Sequence, residues 1–221
     1  DGIHYAGQSK DIAINAFFPN ELPFPVEASL SEYALNIDVP LSQGDAPRDF
    51  AAGIALRDLA VSEGIWSMLD PTSALPHDPA TVALDLTGKV NLFFDLLDPA
   101  QQQAAAMAEV PGEIHELTLN DLTVQIAGAE VLGTGAMTFD NADMQTYPGM
   151  PRPDGAVDLR INGINGLIDK LIQMGLIPED EAMMPRMMLG MFATPVGDDQ
   201  LESRIEFTPE GQILANGQRL K

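Results

Sequence analysis

The chain has 221 residues, of which 45% are apolar and 6% aromatic, and its 33 acidic residues against 11 basic give a net charge of −22. Such a polyanion is repelled by phosphate backbones and anionic lipid surfaces, which argues against nucleic-acid binding and against attachment to an anionic membrane. With no cysteine, disulfides, zinc–thiolate sites and cysteine nucleophiles are excluded, and no stretch supplies the roughly 18 apolar residues of a membrane-spanning helix.

The first residues, Asp1-Gly-Ile-His-Tyr5, have neither the basic start nor the apolar run of a signal peptide, so any targeting or anchor segment is expected to be absent from this chain. Pro and Gly, 17 and 19 in number, fall between apolar stretches and mark many short elements joined by turns. In Lys10–Phe18, Ile12, Ile14 and Ala16 alternate with Asp11, Ala13 and Asn15; towards the end of Pro25–Val39, Leu35, Ile37 and Val39 share one side. Alternation with period two predicts half-buried strands of an antiparallel sheet.

Two strings resemble each other. Ala55-Leu-Arg-Asp-Leu-Ala-Val61 and Thr118-Leu-Asn-Asp-Leu-Thr-Val124 both read small–Leu–polar–Asp–Leu–small–Val. Each is followed by a strand closing on glycine, Ala83–Gly88 or Val157–Gly163, and then by an expected short helix, Leu92–Leu97 or Leu167–Leu171. The expectation is a strand–strand–helix module repeated at 54–98 and 117–177 within a single β-rich domain, 1–221.

Among the helices, Gln101–Ala108 has helix-prone composition. Ile164, Leu167, Ile168, Leu171 and Ile172 make one apolar stripe, and Gly175 stands where a left-handed cap is expected. Pro178 is expected to open a second helix, with Glu179, Asp180 and Glu181 in its first turn, and Pro185 to break it and begin a further segment, Pro185–Phe192. Leu201–Phe207, Pro209–Gly211 and Gln212–Ala215 read as a closing hairpin. The fold class is therefore α+β and mainly antiparallel β, a large curved sheet with short helices packed on one face.

Catalytic motifs are absent. His4, His77 and His115 stand at no metal-ligand or triad spacing, and His115 is expected to face solvent on a strand. Gly133-Thr-Gly135 lacks a third glycine and precedes a strand-like stretch, so it reads as a bulge or a close backbone approach. Asp140, Asn141 and Asp143 do not match a calcium loop and read as turn residues. No catalytic residue, metal site or cofactor is expected. The unusual feature is a methionine cluster: Met174, Met183, Met184, Met187, Met188 and Met191. Such side chains fill cores, adapt to apolar ligands or, less commonly, hold Cu(I). Met174, Met184, Met187, Met188, Met191 and Phe192 are the expected apolar-ligand site.

Three strings, Leu69-Asp-Pro-Thr-Ser-Ala-Leu-Pro-His-Asp-Pro-Ala-Thr81, Gly166-Leu-Ile-Asp-Lys-Leu-Ile-Gln-Met-Gly-Leu176 and Ile213-Leu-Ala-Asn-Gly-Gln-Arg-Leu220, resemble an uncharacterised bacterial envelope family, domain of unknown function 2125. Members of that family resemble exported proteins, to whose C-terminal portion this chain would correspond. The resemblance implies a periplasmic location and no activity. The resulting expectation is a non-enzymatic domain that holds or passes an apolar ligand such as a lipid; the alternatives are a structural or protein-interaction module of the cell envelope and, more weakly, a carboxylate hydrolase.

Overall fold

The structure is a computed structural model that describes residues 1–108 and 110–220. Its strands are β1 (Gly2–Ala16), β2 (Val26–Pro40), β3 (Arg48–Val61), β4 (Ala80–Leu92), β5 (Gly112–Ile126), β6 (Ala129–Asp140), β7 (Arg152–Asn162), β8 (Thr194–Gly197), β9 (Gln200–Phe207), β10 (Ile213–Ala215) and β11 (Gln218–Arg219). Its helices are α1 (Glu63–Leu69), α2 (Pro99–Met107), α3 (Ile164–Gln173) and α4 (Glu179–Phe192).

All eleven strands join one open antiparallel sheet in the order β1 to β7, then β9, β10, β11, with β8 paired to the same edge of β9 as β10. Consecutive strands are neighbours from β1 to β7, so each turn needs only to reverse the chain. Helices α1, α3 and α4 connect strands at one end of the sheet and α2 at the other.

From the second half of β2 to β9 the apolar positions line up across the ladder. One cross-strand row runs Leu35, Ile54, Leu84, Leu122, Gly133, Leu159, Ser203. The next row on that face runs Ile37, Ala52, Leu86, Leu119, Gly135, Val157, Ile205, Ala215. The opposite face carries Asn36, Asp85, Asp121, Asp158, Arg160, Glu202 and Arg204 in the same registers. Successive strand residues point to opposite sides, so the sheet has one apolar face and one charged face.

Two glycines accommodate bulk on the apolar face. A Cβ on Gly88 would stand 2.1 Å from the Glu116 carbonyl oxygen and 2.6 Å from the Phe50 ring, so the ring lies over that glycine. A Cβ on Gly133 would meet Leu159 at 2.8 Å and Leu122 at 3.1 Å. The close approach expected at Gly133–Gly135 is thus present, and it lies opposite a bulge in β5.

Both Leu-polar-Asp-Leu strings are β-bulges. In β3, Arg57 and Asp58 oppose a single residue of β4, and Asp58 has φ of 55°. In β5, Asn120 and Asp121 oppose Thr134 alone. Arg57 reaches across β4 to Asp121 at 3.3 Å, so the two bulges are joined by an ion pair. Beyond these strings the two segments differ in pairing: β3 and β4 are neighbours, whereas β6 separates β5 from β7.

Three local expectations need correction. Leu92–Leu97 is not helical: β4 runs through Leu92, Asp95 holds a turn, and α2 starts at Pro99 with Asp98 accepting the Ala100 N–H at 3.0 Å. Pro178 is the cap residue before α4 rather than its first residue. Pro185 does not break the helix either; it is the seventh of fourteen residues of α4, which is continuous from Glu179 to Phe192 although an interior proline removes one backbone hydrogen bond. The cap at Gly175 is as expected: φ is +73°, Gly175 N–H bonds Ile172 and Leu176 N–H bonds Leu171, the paired bonds of a left-handed helix stop.

Candidate functional site

The apolar face is the largest unusual feature of the molecule. No second sheet covers it, and among the described residues α3 packs on β6 and α4 on β9 while α1 and α2 pack on no strand comparably. Side chains that would be buried in a two-layer domain are therefore half-exposed; Ile54 retains 37% of its surface and Val82 44%. The accessible surface is 13227 Å², against about 9,800 Å² for a compact chain of this mass. An open sheet without a second layer has such an excess.

The methionines stand beside this face on α4, anchored by few residues. Ala182 is buried, and Leu189 and Phe192 are half-buried, but Met183, Met184, Met187, Met188 and Met191 are all more than half exposed. They do not fill a core. Met174 lies apart, half-buried at the end of α3. The Phe192 carbonyl accepts from Ser203 Oγ at 2.6 Å and Asn216 Nδ2 at 3.0 Å, which fixes the C-terminus of α4 to β9.

The long family-like string forms a loop around Asp70. This carboxylate, 1% exposed, accepts the Leu75 N–H at 2.7 Å and the Thr72 hydroxyl at 3.0 Å. Burial pushes its pKa up, but the backbone bonds from Leu75, Ala74 and Thr72 and the Thr72 hydroxyl together hold it below the ordinary value. His77 stacks on Trp66 with ring centroids 4.3 Å apart, and its Nδ1 lies 3.1 Å from Glu63. The cluster positions a loop.

The other candidates resolve into structure. Asp143 is held below the ordinary value by the Thr146 N–H and hydroxyl and by Gln145 and Arg152, against its burial. Arg152 also pairs with Asp140 at 2.8 Å, and Asn141 donates to the Ile114 carbonyl. These oxygens are engaged in a turn. His115 is half-buried rather than solvent-facing, because it is the extra residue of a bulge opposite Lys89 and Val90. His4 pairs with Asp38 across β1 and β2 at 2.8 Å. A surface depression of about 500 Å³ lies on the charged side along Asp158, Arg160, Glu202 and Arg204, whose side chains pair with one another. No group of metal-ligating residues is present among the described residues, and no helix there is long and apolar enough to cross a membrane.

Sequence reasoning missed the apolar face as a whole. Each strand displays its own alternation, but the phase that aligns one strand's apolar side with the next depends on register, which bulges shift. A family model described as an uncharacterized protein conserved in bacteria (DUF2125) matches residues 10–213. No curated protein and no solved structure matches the chain.

Proposed function

For a chain that belongs to this uncharacterised bacterial family, we propose that the open apolar face is a non-enzymatic binding surface for an apolar ligand such as a lipid, acting outside the cytoplasm in the periplasm. The carrying observation is the uncovered face that is continuous from β2 to β9. Exposed apolar area of this extent costs free energy in water, at about 25 cal/mol per Å², and an acyl chain laid across it removes that cost. In this reading the sheet curves around its ligand with the helices on the same side. The methionines of α4, with Met174 and Phe192, supply a deformable apolar border. The paired bulge strings are copies of one device that bends neighbouring strands.

The test is native mass spectrometry of the protein purified from a bacterial host, alongside titration with the neutral apolar probe N-phenyl-1-naphthylamine. The expected result is co-purified lipid and saturable probe binding. Probe fluorescence that never saturates, with no bound lipid, overturns the reading.

A second reading, an interaction module of the cell envelope, draws on β1. Its fifteen residues form a sheet edge paired only with β2, and Ile3, Tyr5 and Ile14 are exposed along it. Such an edge is a template for strand addition by a protein partner. Pull-down of one stoichiometric protein, lost on Ile12→Pro, would favour this reading over the first.

A further inference from the structure

We infer that the apolar face is built for an amphiphile with a single anionic head group, and that Arg48 receives that head. The inference rests on the apolar-face reading and specifies the ligand class.

Arg48 begins β3. Its register partner is Val90, and alternation places it on the side that carries Phe50, Leu86 and Val90. Lys89, Arg57, Arg160 and Arg204 occupy the opposite side. Arg48 is thus a half-buried cation at one margin of the apolar face.

Its pairing is also exceptional. Arg57, Arg152, Arg160, Arg186 and Arg204 each meet a carboxylate. Arg48 meets none among the described residues; its guanidinium donates to the Ser42 carbonyl. Its neighbours in the chain, Asp45 and Asp49, do not pair with it. A guanidinium offers five donors in a planar fork that matches carboxylate or phosphate oxygens in pairs, and one carbonyl leaves most of them unspent.

The net charge of −22 opposes an anion at long range, but salt screens that repulsion beyond about 8–10 Å. A contact with Arg48 is shorter than that, so the local cation decides. The ligand then lies with its head at the β3 start and its chain along the apolar rows.

The test is displacement of N-phenyl-1-naphthylamine from the full chain by laurate, dodecyl phosphate and 1-dodecanol, which share a twelve-carbon chain and differ in head group. The anionic ligands should bind about tenfold more tightly than the alcohol, the scale of one charge-assisted hydrogen bond. The laurate and phosphate arms tell which anion the site prefers. Arg48→Gln should remove the difference and leave dodecanol unchanged, Lys10→Gln should leave it intact, and Arg48→Lys, the substitute if the glutamine variant does not fold, should lower it in part. Equal binding of all three by the parent chain overturns the head-group assignment while the apolar reading stands, as does a preference that survives both Arg48 substitutions. Failure of all three to bind overturns both.

Discussion

Asp199, at the tip of the β8–β9 hairpin, accepts the backbone N–H of Gly166 at 2.8 Å and so caps a helix that begins thirty-five residues earlier in the chain. Its other oxygen takes the Asn165 N–H and amide at 3.1 and 2.9 Å, and its carbonyl takes the Gly163 N–H. The cap position before α3 is a glycine, Gly163, that offers no side-chain cap of its own; the carboxylate supplies one from a distance and meets the positive end of the helix dipole. Asp199→Ala should cost about 1–2 kcal/mol of unfolding free energy in urea, and Asp199→Asn, whose amide oxygen still accepts, should cost less. Equal losses for the two would mean that the cap is not what Asp199 contributes.

The pH dependence follows from three aspartates. Asp70, Asp143 and Asp199 all titrate below the ordinary value of 3.8 in the folded chain. For Asp199, burial raises the value, and the bonds from Gly166 and Asn165 more than reverse it. In each case the unfolded chain binds the proton more readily, so the contribution to stability is complete above about pH 4–5 and is lost as pH falls through the folded values. Thermal melts between neutral pH and pH 2.5 should show a cooperative loss below pH 4, and Asp70→Asn should flatten it. An unchanged acid limb in that variant would contradict the assignment.

Self-repulsion acts in the other direction. At net charge −22, raising the salt concentration from about 0.01 M to 0.15 M shortens the screening length from roughly 30 Å to 8 Å. The melting temperature at pH 8 should therefore rise with sodium chloride, by about 2–4 °C for each kcal/mol of repulsion relieved. A fall would mean that the cross-strand ion pairs outweigh the net charge.

Gly88 tests the packing of Phe50. Because the Glu116 carbonyl, a backbone atom, blocks any side chain at 2.1 Å, Gly88→Ala should lose about 1–3 kcal/mol. Loss of less than half a kcal/mol, read from denaturant midpoints, would show that β4 and β5 move apart freely.

The methionines separate stability from binding. Met184 and Met188 are 66% and 51% exposed, so Met184→Gln with Met188→Gln should change stability by no more than about 0.5 kcal/mol each. Binding of the neutral probe should weaken severalfold. Undiminished binding would remove α4 from the ligand site.

Much of this was legible residue by residue. Ile12, Ile14 and Ala16 announce β1, and the stripe from Ile164 to Ile172 with Gly175 announces α3 and its stop. Pro185 misled, because an interior proline removes one hydrogen bond from a helix without always ending it, and α4 runs on through it. The Leu-Arg-Asp-Leu and Leu-Asn-Asp-Leu strings drew attention as a repeat, and the structure places a bulge at both. Asp199 could not be assigned to Gly166, nor Arg57 to Asp121, since those partners are brought together by strand order.

Alternation, turn residues and charge balance determined by themselves that this chain makes an antiparallel, acidic, β-rich domain without disulfides. Those properties are local, set by the period of the backbone and by the side chains present. Register and layer number were decided only in three dimensions. Whether Leu35, Ile54, Leu84, Leu122 and Leu159 form one surface depends on the bulges that set each strand's phase, and whether that surface is covered depends on where the helices come to rest. The uncovered face, and Arg48 at its margin, exist only once eleven strands have been laid side by side.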